Sequence, residues 1–373
     1  MALDIPQNSP YANVLAHKAE IEAAMARVLA SGWYILGEEV AAFEREFAAF
    51  LDVPHAVGVA SGTDAIHIAL RGLGIGAGDL VATVSHTAVA TVAAIELAGA
   101  APLLADIDPE TYTMDPASLQ SVMGPKVKAI IPVHLYGHPA ALAPILKIAE
   151  SYGAAVIEDC AQSHGAKLDG RATGTWGRVG AFSFYPTKNL GALGDGGAVV
   201  TSDTGLAARI RSLREYGWRE RYVSSEAGLN SRLDEMQAAI LRVKLRYLEL
   251  ENARRREIAS WYGELLADLP LTLPTVADGA THVFHQYVVR TVRRDALREH
   301  LKQSSIGALI HYPVPVHLQP AYRDRVTRAD SLAATEAAAR EVLSLPMYPE
   351  LRRNQVERVC AAVRGFFTGR AAR

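Results

Sequence analysis

Residues 181–191 read AFSFYPTKNLG: an apolar run ending at Tyr185, a proline that stops strand pairing, and a lysine, Lys188, in the turn that follows. A lysine this close to the end of a buried strand is partly desolvated, which lowers its pKa and makes the amine a usable nucleophile. Taken alone, Lys188 reads first as a surface lysine after a strand. Four glycines follow it, Gly191, Gly194, Gly196 and Gly197. They imply close backbone approach or unusual dihedrals around the turn.

Outward from this stretch, short β-branched apolar runs alternate with helical patterns. Strands are expected at His55–Ala60, Leu80–Val84, Pro102–Ala105, Ala129–Val133, Ala154–Glu158, Ala181–Tyr185 and Ala198–Thr201. Helices are expected near 64–72, 87–98, 115–123, 140–152 and 204–216. The alternation predicts an α/β fold with an open, mostly parallel sheet covered by helices on both faces. Ligands of such sheets bind beyond the carboxyl ends of the strands. One long helix is expected over Ser231–Leu265. After a break at Leu269–Pro274 come a strand (His285–Val292), a helix (Arg294–Gln303), a strand (Gly307–His311) and two more helices. This predicts a large α/β domain over residues 1–250 and a smaller C-terminal α/β domain over 251–373, with Thr368–Arg373 as a frayed tail.

Other strand ends carry reactive residue types. AAVIEDCAQ, residues 154–162, closes a buried strand with two acids, and alternation sends Glu158 and Asp159 to opposite faces. A carboxylate there needs a cationic partner, and a protonated pyridine nitrogen is one. One of the two acids is expected to be structural. Gln162 lies within reach of the same ligand's ring oxygen, and Cys160 reads as a small core residue. ASGTDA, residues 60–65, joins a strand to a helix whose first amides, Gly62, Thr63 and Asp64, form an anion site suited to phosphate. Ser183 could add a hydroxyl to it. His86, in SHTAVAT (85–91), sits where a flat side chain would stack on a ring, although a histidine at a strand end is often only hydrogen-bonded structure. GLGIGA (72–77) follows a helix and precedes a strand, the wrong order for a dinucleotide fingerprint. His134 and His138 stand in a strand-to-loop segment, so their spacing does not make a metal site.

The bulk numbers narrow the class. A formal net charge of −2 from 38 basic and 40 acidic residues gives no electrostatic case for nucleic acid or a membrane surface. Two cysteines, Cys160 and Cys360, build neither a disulfide framework nor a thiolate metal site. The first residues lack a signal-peptide pattern and no apolar run spans a bilayer, so a cytoplasmic enzyme is expected.

Together the SGTDA, EDCAQSHGA and FSFYPTKNLGALGDGG segments resemble the DegT/StrS-type sugar aminotransferases, a fold-type I family dependent on pyridoxal 5'-phosphate (PLP). GWYILGEEVAAFEREFA, PVHLYGHPA, GLNSRLDEMQAAIL and HYPVPVHLQPAY extend the resemblance over nearly the whole chain. It implies Lys188 as the Schiff-base lysine and Asp159 as partner of the pyridine nitrogen. It places Gln162 at the ring oxygen, His86 over the ring, and Gly62, Thr63 and Ser183 at the phosphate. Asn230 would reach the phosphate held by a second subunit, making a homodimer with interfacial sites the working unit. The implied reaction moves an amino group from glutamate, leaving 2-oxoglutarate, to a keto group of a nucleotide-linked deoxyhexose. HYPVPVHLQPAY and EVLSLPMYPEL look closest to transaminases acting at C3 of dTDP-3-keto-6-deoxyhexoses. Tyr34, Tyr185, His311 and Tyr312 are candidates near the sugar, and Arg232 is a candidate partner for the donor carboxylate. Alternatives are a C4 nucleotide-sugar or cyclitol aminotransferase and, more distantly, a non-catalytic PLP-binding regulator. A nicotinamide oxidoreductase would need a Gly-rich turn after the first strand, and the sequence has none there.

Overall fold

A computed structural model describes residues 3–369; the expected tail lies partly outside them, at 370–373, while Thr368 closes the last helix. All seven expected strands of the large sheet exist: β1 (His55–Val59), β2 (Leu80–Val84), β3 (Ala101–Ala105), β4 (Val127–Ile130), β5 (Ala155–Asp159), β6 (Val179–Ser183) and β7 (Gly197–Thr201), although β4 and β6 lie two to three residues earlier than expected, β6 ending at Ser183 rather than Tyr185. Two further strands, β8 (Tyr287–Arg290) and β10 (Val342–Leu345), pair antiparallel in a separate small sheet, and β9 (Thr327–Arg328) adds a short edge strand to the large one. The large sheet runs β1-β7-β6-β5-β4-β2-β3-β9. Its pairs are parallel except where β7 meets β1 and β6.

Side-chain alternation explains why both faces are covered. Along β6, Val179 and Ala181 join a core with helices Gly62–Gly72, Val89–Leu97 and Thr204–Leu213. Phe182, and Phe184 just beyond the strand, join an opposite core with Phe43 and Phe47 of helix Glu38–Leu51. β7 divides the same way, Val199 to one side and Val200 to the other. The phenylalanines pack edge to face, Phe47 lying 5.0 Å from Phe182 and 5.5 Å from Phe184 between ring centroids.

The glycines after Lys188 serve close approach rather than unusual dihedrals. Gly191 and Gly197 have no positive φ; a Cβ on either would lie 2.4 Å from a carbonyl oxygen, of Pro186 and Ser61 respectively.

Three expectations need correction. The long helix is two, Glu235–Leu245 and Leu248–Leu266. No glycine or proline marks the break; there Arg246 and Tyr247 bond to Glu20, and Tyr247 stacks on His17 at 4.1 Å. Gly307–His311 forms no strand, only isolated bridges of Ile306 to Ile5 and Leu309 to Ser344. The two final helices, Ala333–Glu341 and Arg353–Thr368, exist, but β10 lies between them. The C-terminal core gathers Ile258 and Tyr262 of helix Leu248–Leu266, β8, β10 and the last helix, with Ile5 from the N-terminal segment.

Candidate active site

Adjacent parallel strands β5 and β6 end side by side, and each delivers one reactive group. Asp159, the last residue of β5, is buried. Its Oδ2 accepts a hydrogen bond from the Thr91 hydroxyl at 2.8 Å and its Oδ1 one from the Ala161 amide at 3.1 Å. Burial raises its pKa above the usual carboxylate value, opposed by those bonds and by the charge of Lys188. Lys188 lies in the turn after β6, where its amide donates to the Tyr185 carbonyl at 2.8 Å. Burial lowers its amine to about 8, with Asp159 pulling in the opposite direction.

Both neighbours of Lys188 are tied down. Asn8 donates to the Thr187 carbonyl at 3.2 Å. Asn189 donates to Asn252 Oδ1 at 2.8 Å and to the Val283 carbonyl at 3.0 Å, and its Oδ1 faces His285 Nδ1 at 3.2 Å. These bonds anchor the turn to the N-terminal segment, the helix Leu248–Leu266 and the loop before β8, so the amine is carried on a fixed backbone.

The second acid has a different task. Glu158 is fully buried and accepts from the amides of Gly174, Trp176 and Gly177 at 2.7, 2.7 and 2.8 Å. His134 Nε2 meets it at 3.0 Å, and His134 Nδ1 accepts from the Ala140 amide. Glu158 is therefore the structural member of the pair, holding the 174–177 loop. His134, Glu158 and Cys160 bring ligand-type atoms within 4.8 Å of one another. The Glu158 oxygens are already consumed by these donors, and burial pushes the Cys160 thiol well up, away from the thiolate a metal needs.

His86 is buried at the end of β2. Its Nε2 lies 2.8 Å from the Tyr136 hydroxyl, its Nδ1 has no partner among the described residues, and burial lowers it to about 4, so the ring is neutral. Tyr136 links much of the remaining site. Its hydroxyl donates to the His311 carbonyl and its amide to Gln162 Oε1 at 2.7 Å. Gln162 Nε2 in turn donates to the Tyr312 hydroxyl at 3.1 Å. His86, Gln162, His311 and Tyr312 thus form one network. Tyr136 and Thr91 carried no signal that assigned them a role.

At the helix Gly62–Gly72, Ser61 caps with its hydroxyl accepting from the Asp64 amide at 3.1 Å. That amide is therefore engaged within the protein, leaving Gly62 and Thr63 as the expected donors to an anion. Ser183 stands against this helix start: a Cβ on Gly62 would be 2.5 Å from Ser183 Cβ. Tyr185 is exposed beside Lys188, and Arg232 is half-buried. Tyr34 is exposed on the 32–37 loop, whose end is fixed by Glu235 accepting from the amides of Gly37, Glu39 and Val40. Asn230 is exposed beside Ser231, whose hydroxyl donates to Asp64 at 2.7 Å. The structure does not join these four to the network around Tyr136.

An amine near neutrality, a buried acid calling for a cation, an unpartnered imidazole nitrogen and a glycine-tight helix start together match what a phosphorylated pyridine requires. The sequence profile of the DegT/DnrJ/EryC1/StrS aminotransferases matches residues 16–364. The chain belongs to the DegT/DnrJ/EryC1/StrS aminotransferase family. Members depend on PLP, and the residues of this site fit that group. Among similar proteins, the dTDP-3-amino-3,4,6-trideoxy-alpha-D-glucose transaminase of Streptomyces venezuelae is 50% identical over 348 residues, 93% of this chain and 92% of the relative. The crystal structure of S. venezuelae DesV in complex with a ketimine intermediate superposes with a TM-score of 0.95 at 48% identity, covering 98% of this chain and 99% of the other. NtdA from Bacillus subtilis, solved with bound cofactor PMP, superposes with a TM-score of 0.89 at 30% identity, covering 95% of this chain and 82% of the other.

Proposed function

We propose that this aminotransferase transfers the amino group of glutamate to C3 of a dTDP-3-keto-6-deoxyhexose, with Lys188 and Asp159 at its chemical centre. The observation that carries the reading is the pairing of these two groups at the ends of adjacent parallel strands. The 3-amino product in the name of the 50% identical relative supports C3 over C4 or a cyclitol ketone.

PLP, when bound, supplies an electron sink that makes the substrate's amine-bearing carbon acidic. Asp159 would face the pyridine nitrogen and keep it protonated, its carboxyl held in place by Thr91 and Ala161. Gly62, Thr63 and Ser183 would hold the phosphate, Gln162 the ring oxygen, and the neutral His86 would lie flat against the ring. The Lys188 amine, lowered toward neutrality, would lift a proton from the α-carbon of glutamate and later return one to the sugar carbon. Tyr34, Tyr185, His311 and Tyr312 would border the sugar and Arg232 the donor carboxylate.

The same reading divides the chain into a cofactor-binding part over 1–250 and a smaller part over 251–373, supported by the separate core around β8 and β10. It places Asn230 of one protomer at the phosphate held by its partner. The exposed run Trp33, Tyr34 and Ile35 supports such a homodimer, since consecutive exposed apolar residues of this size favour a protein contact. No helix of the described residues is long and apolar enough to cross a membrane; work on nucleotide sugars would place the enzyme in the cytoplasm.

The test is a reverse half-reaction. PLP-loaded protein is mixed separately with dTDP-3-amino-3,6-dideoxyhexoses and with their 4-amino isomers, following the visible band of the bound cofactor. Loss of the band with the 3-amino sugar alone is expected. Loss with the 4-amino isomer alone would overturn the C3 assignment.

A further inference from the structure

A second buried lysine stands behind the turn that carries Lys188. Lys244, on helix Glu235–Leu245, is 4% exposed, and its amine donates to the carbonyl of Gly191. Gly191 closes the turn: a Cβ there would lie 2.4 Å from the Pro186 carbonyl oxygen, and the next amide, Ala192, donates to Phe184 at 2.7 Å. A bond to the Gly191 carbonyl therefore fixes the closing end of the loop on which Lys188 stands.

A buried ammonium is costly unless its charge is met. Ile240, Leu241, Val243 and Leu245 beside it on the helix are buried and apolar, so an apolar side chain would suit the position. Burial lowers the Lys244 amine to about 8, and Glu251 and then Glu350 draw it back up. Glu251 accepts from Asn13 at 2.6 Å and meets His17 at 2.9 Å, while Asn13 also donates to Glu350 at 3.2 Å. Arg255 brings the count to two cations against two acids, and it donates to the carbonyls of Phe284 and Met347 at 3.2 Å each. The N-terminal segment, two helices and two C-terminal loops thus meet in one charged cluster behind the turn.

The cavity between these groups and Lys188 measures about 20 Å³, room for one water and for no substrate. A group so enclosed, with its bond directed at the Lys188 turn, acts through that turn. A charged donor makes that bond roughly twice as strong as a neutral one.

We propose that Lys244 is a positioning residue for transamination, its charged bond to the Gly191 carbonyl holding the turn still while the Lys188 amine lifts and returns protons. The role rests on the reading of Lys188 given above.

The experiment compares PLP-loaded wild type with Lys244→Met and with Tyr262→Phe, which removes a buried bond to the Pro346 carbonyl in the C-terminal core. The glutamate half-reaction and the hydrogen–deuterium exchange of residues 185–192 are both read. Lys244→Met is expected to bind PLP, to lose about tenfold or more in kcat with KM within about twofold, and to exchange residues 185–192 about tenfold faster. Lys244→Arg, which keeps the charge, should recover most of both losses. Tyr262→Phe should lower the thermal midpoint and leave kcat and this exchange near wild type. Unchanged exchange of 185–192 in Lys244→Met would overturn the proposal, as would faster exchange with kcat fully retained. An equal kcat loss in Tyr262→Phe would also overturn it, by assigning the effect to stability. If Lys244→Met does not fold, Lys244→Gln, shorter and uncharged, is read by the same outcomes. Failure of the Lys188 reading shows separately, as a half-reaction surviving in Lys188→Ala, and removes this role with it.

Discussion

Replacing Asp159 by asparagine removes one charge from the site with little change of shape. The carboxylate is buried, with Oδ1 bonded to the Ala161 amide and Oδ2 to the Thr91 hydroxyl. An asparagine carbonyl can keep the Ala161 bond, and its NH2 can donate to the Thr91 oxygen, so the strand end should hold and PLP should still bind. What disappears is the negative charge facing the pyridine nitrogen. A hydrogen bond to a charged group contributes about 1.5–3 kcal/mol, equivalent to roughly one to two pKa units on the nitrogen. If the half-reaction needs the protonated ring, its rate should fall by about 10- to 150-fold. Lys188 also loses the one neighbour that raises its pKa, so its amine should titrate below about 8. The assay is a single-turnover half-reaction with glutamate, followed by the loss of the cofactor's visible band. A variant that binds PLP and reacts within about threefold of wild type would refute the role given to Asp159.

Capture of PLP by the apo-protein should depend on pH through Lys188. Its pKa is lowered from 10.5 to about 8, and only the free amine reacts, so capture should rise with pH and level off above about 8. At pH 7.5 about a quarter of the amines are then free, against roughly one in a thousand at the unperturbed value. A midpoint near 10 in stopped-flow absorbance would contradict the burial argument. Glu158→Gln should destabilise the fold rather than alter chemistry, because three amides and His134 converge on its carboxylate. Breaking such a buried charged network costs about 3–5 kcal/mol. An unchanged thermal midpoint would remove its structural role.

The large sheet was legible because its strands are short, β-branched and bounded by helices of regular period. Asp159, Lys188 and the Gly62 helix start could be placed for the same reason, each lying at a strand end. The break between Leu245 and Leu248 was not legible, since strong helix formers run through it and the cause is tertiary contact with His17 and Glu20. β10 reads VLSL and is too short for periodicity to separate it from its flanking helices. Thr91 and Tyr136 were invisible as site residues because their partners, Asp159, Gln162 and His311, are 68, 26 and 175 positions away. Strand alternation alone left the choice between Glu158 and Asp159 open, and it was the family resemblance that named Asp159. The fold adds the physical reason: the 174–177 loop turns its amides onto Glu158.

The most direct test of the account is covalent. PLP-loaded protein is reduced with borohydride, digested, and the pyridoxyl-bearing peptide sequenced by mass spectrometry. The account predicts a single label on Lys188, absent from Lys188→Ala, whose glutamate half-reaction should also be lost. A label on another lysine, or substantial half-reaction in Lys188→Ala, would contradict it.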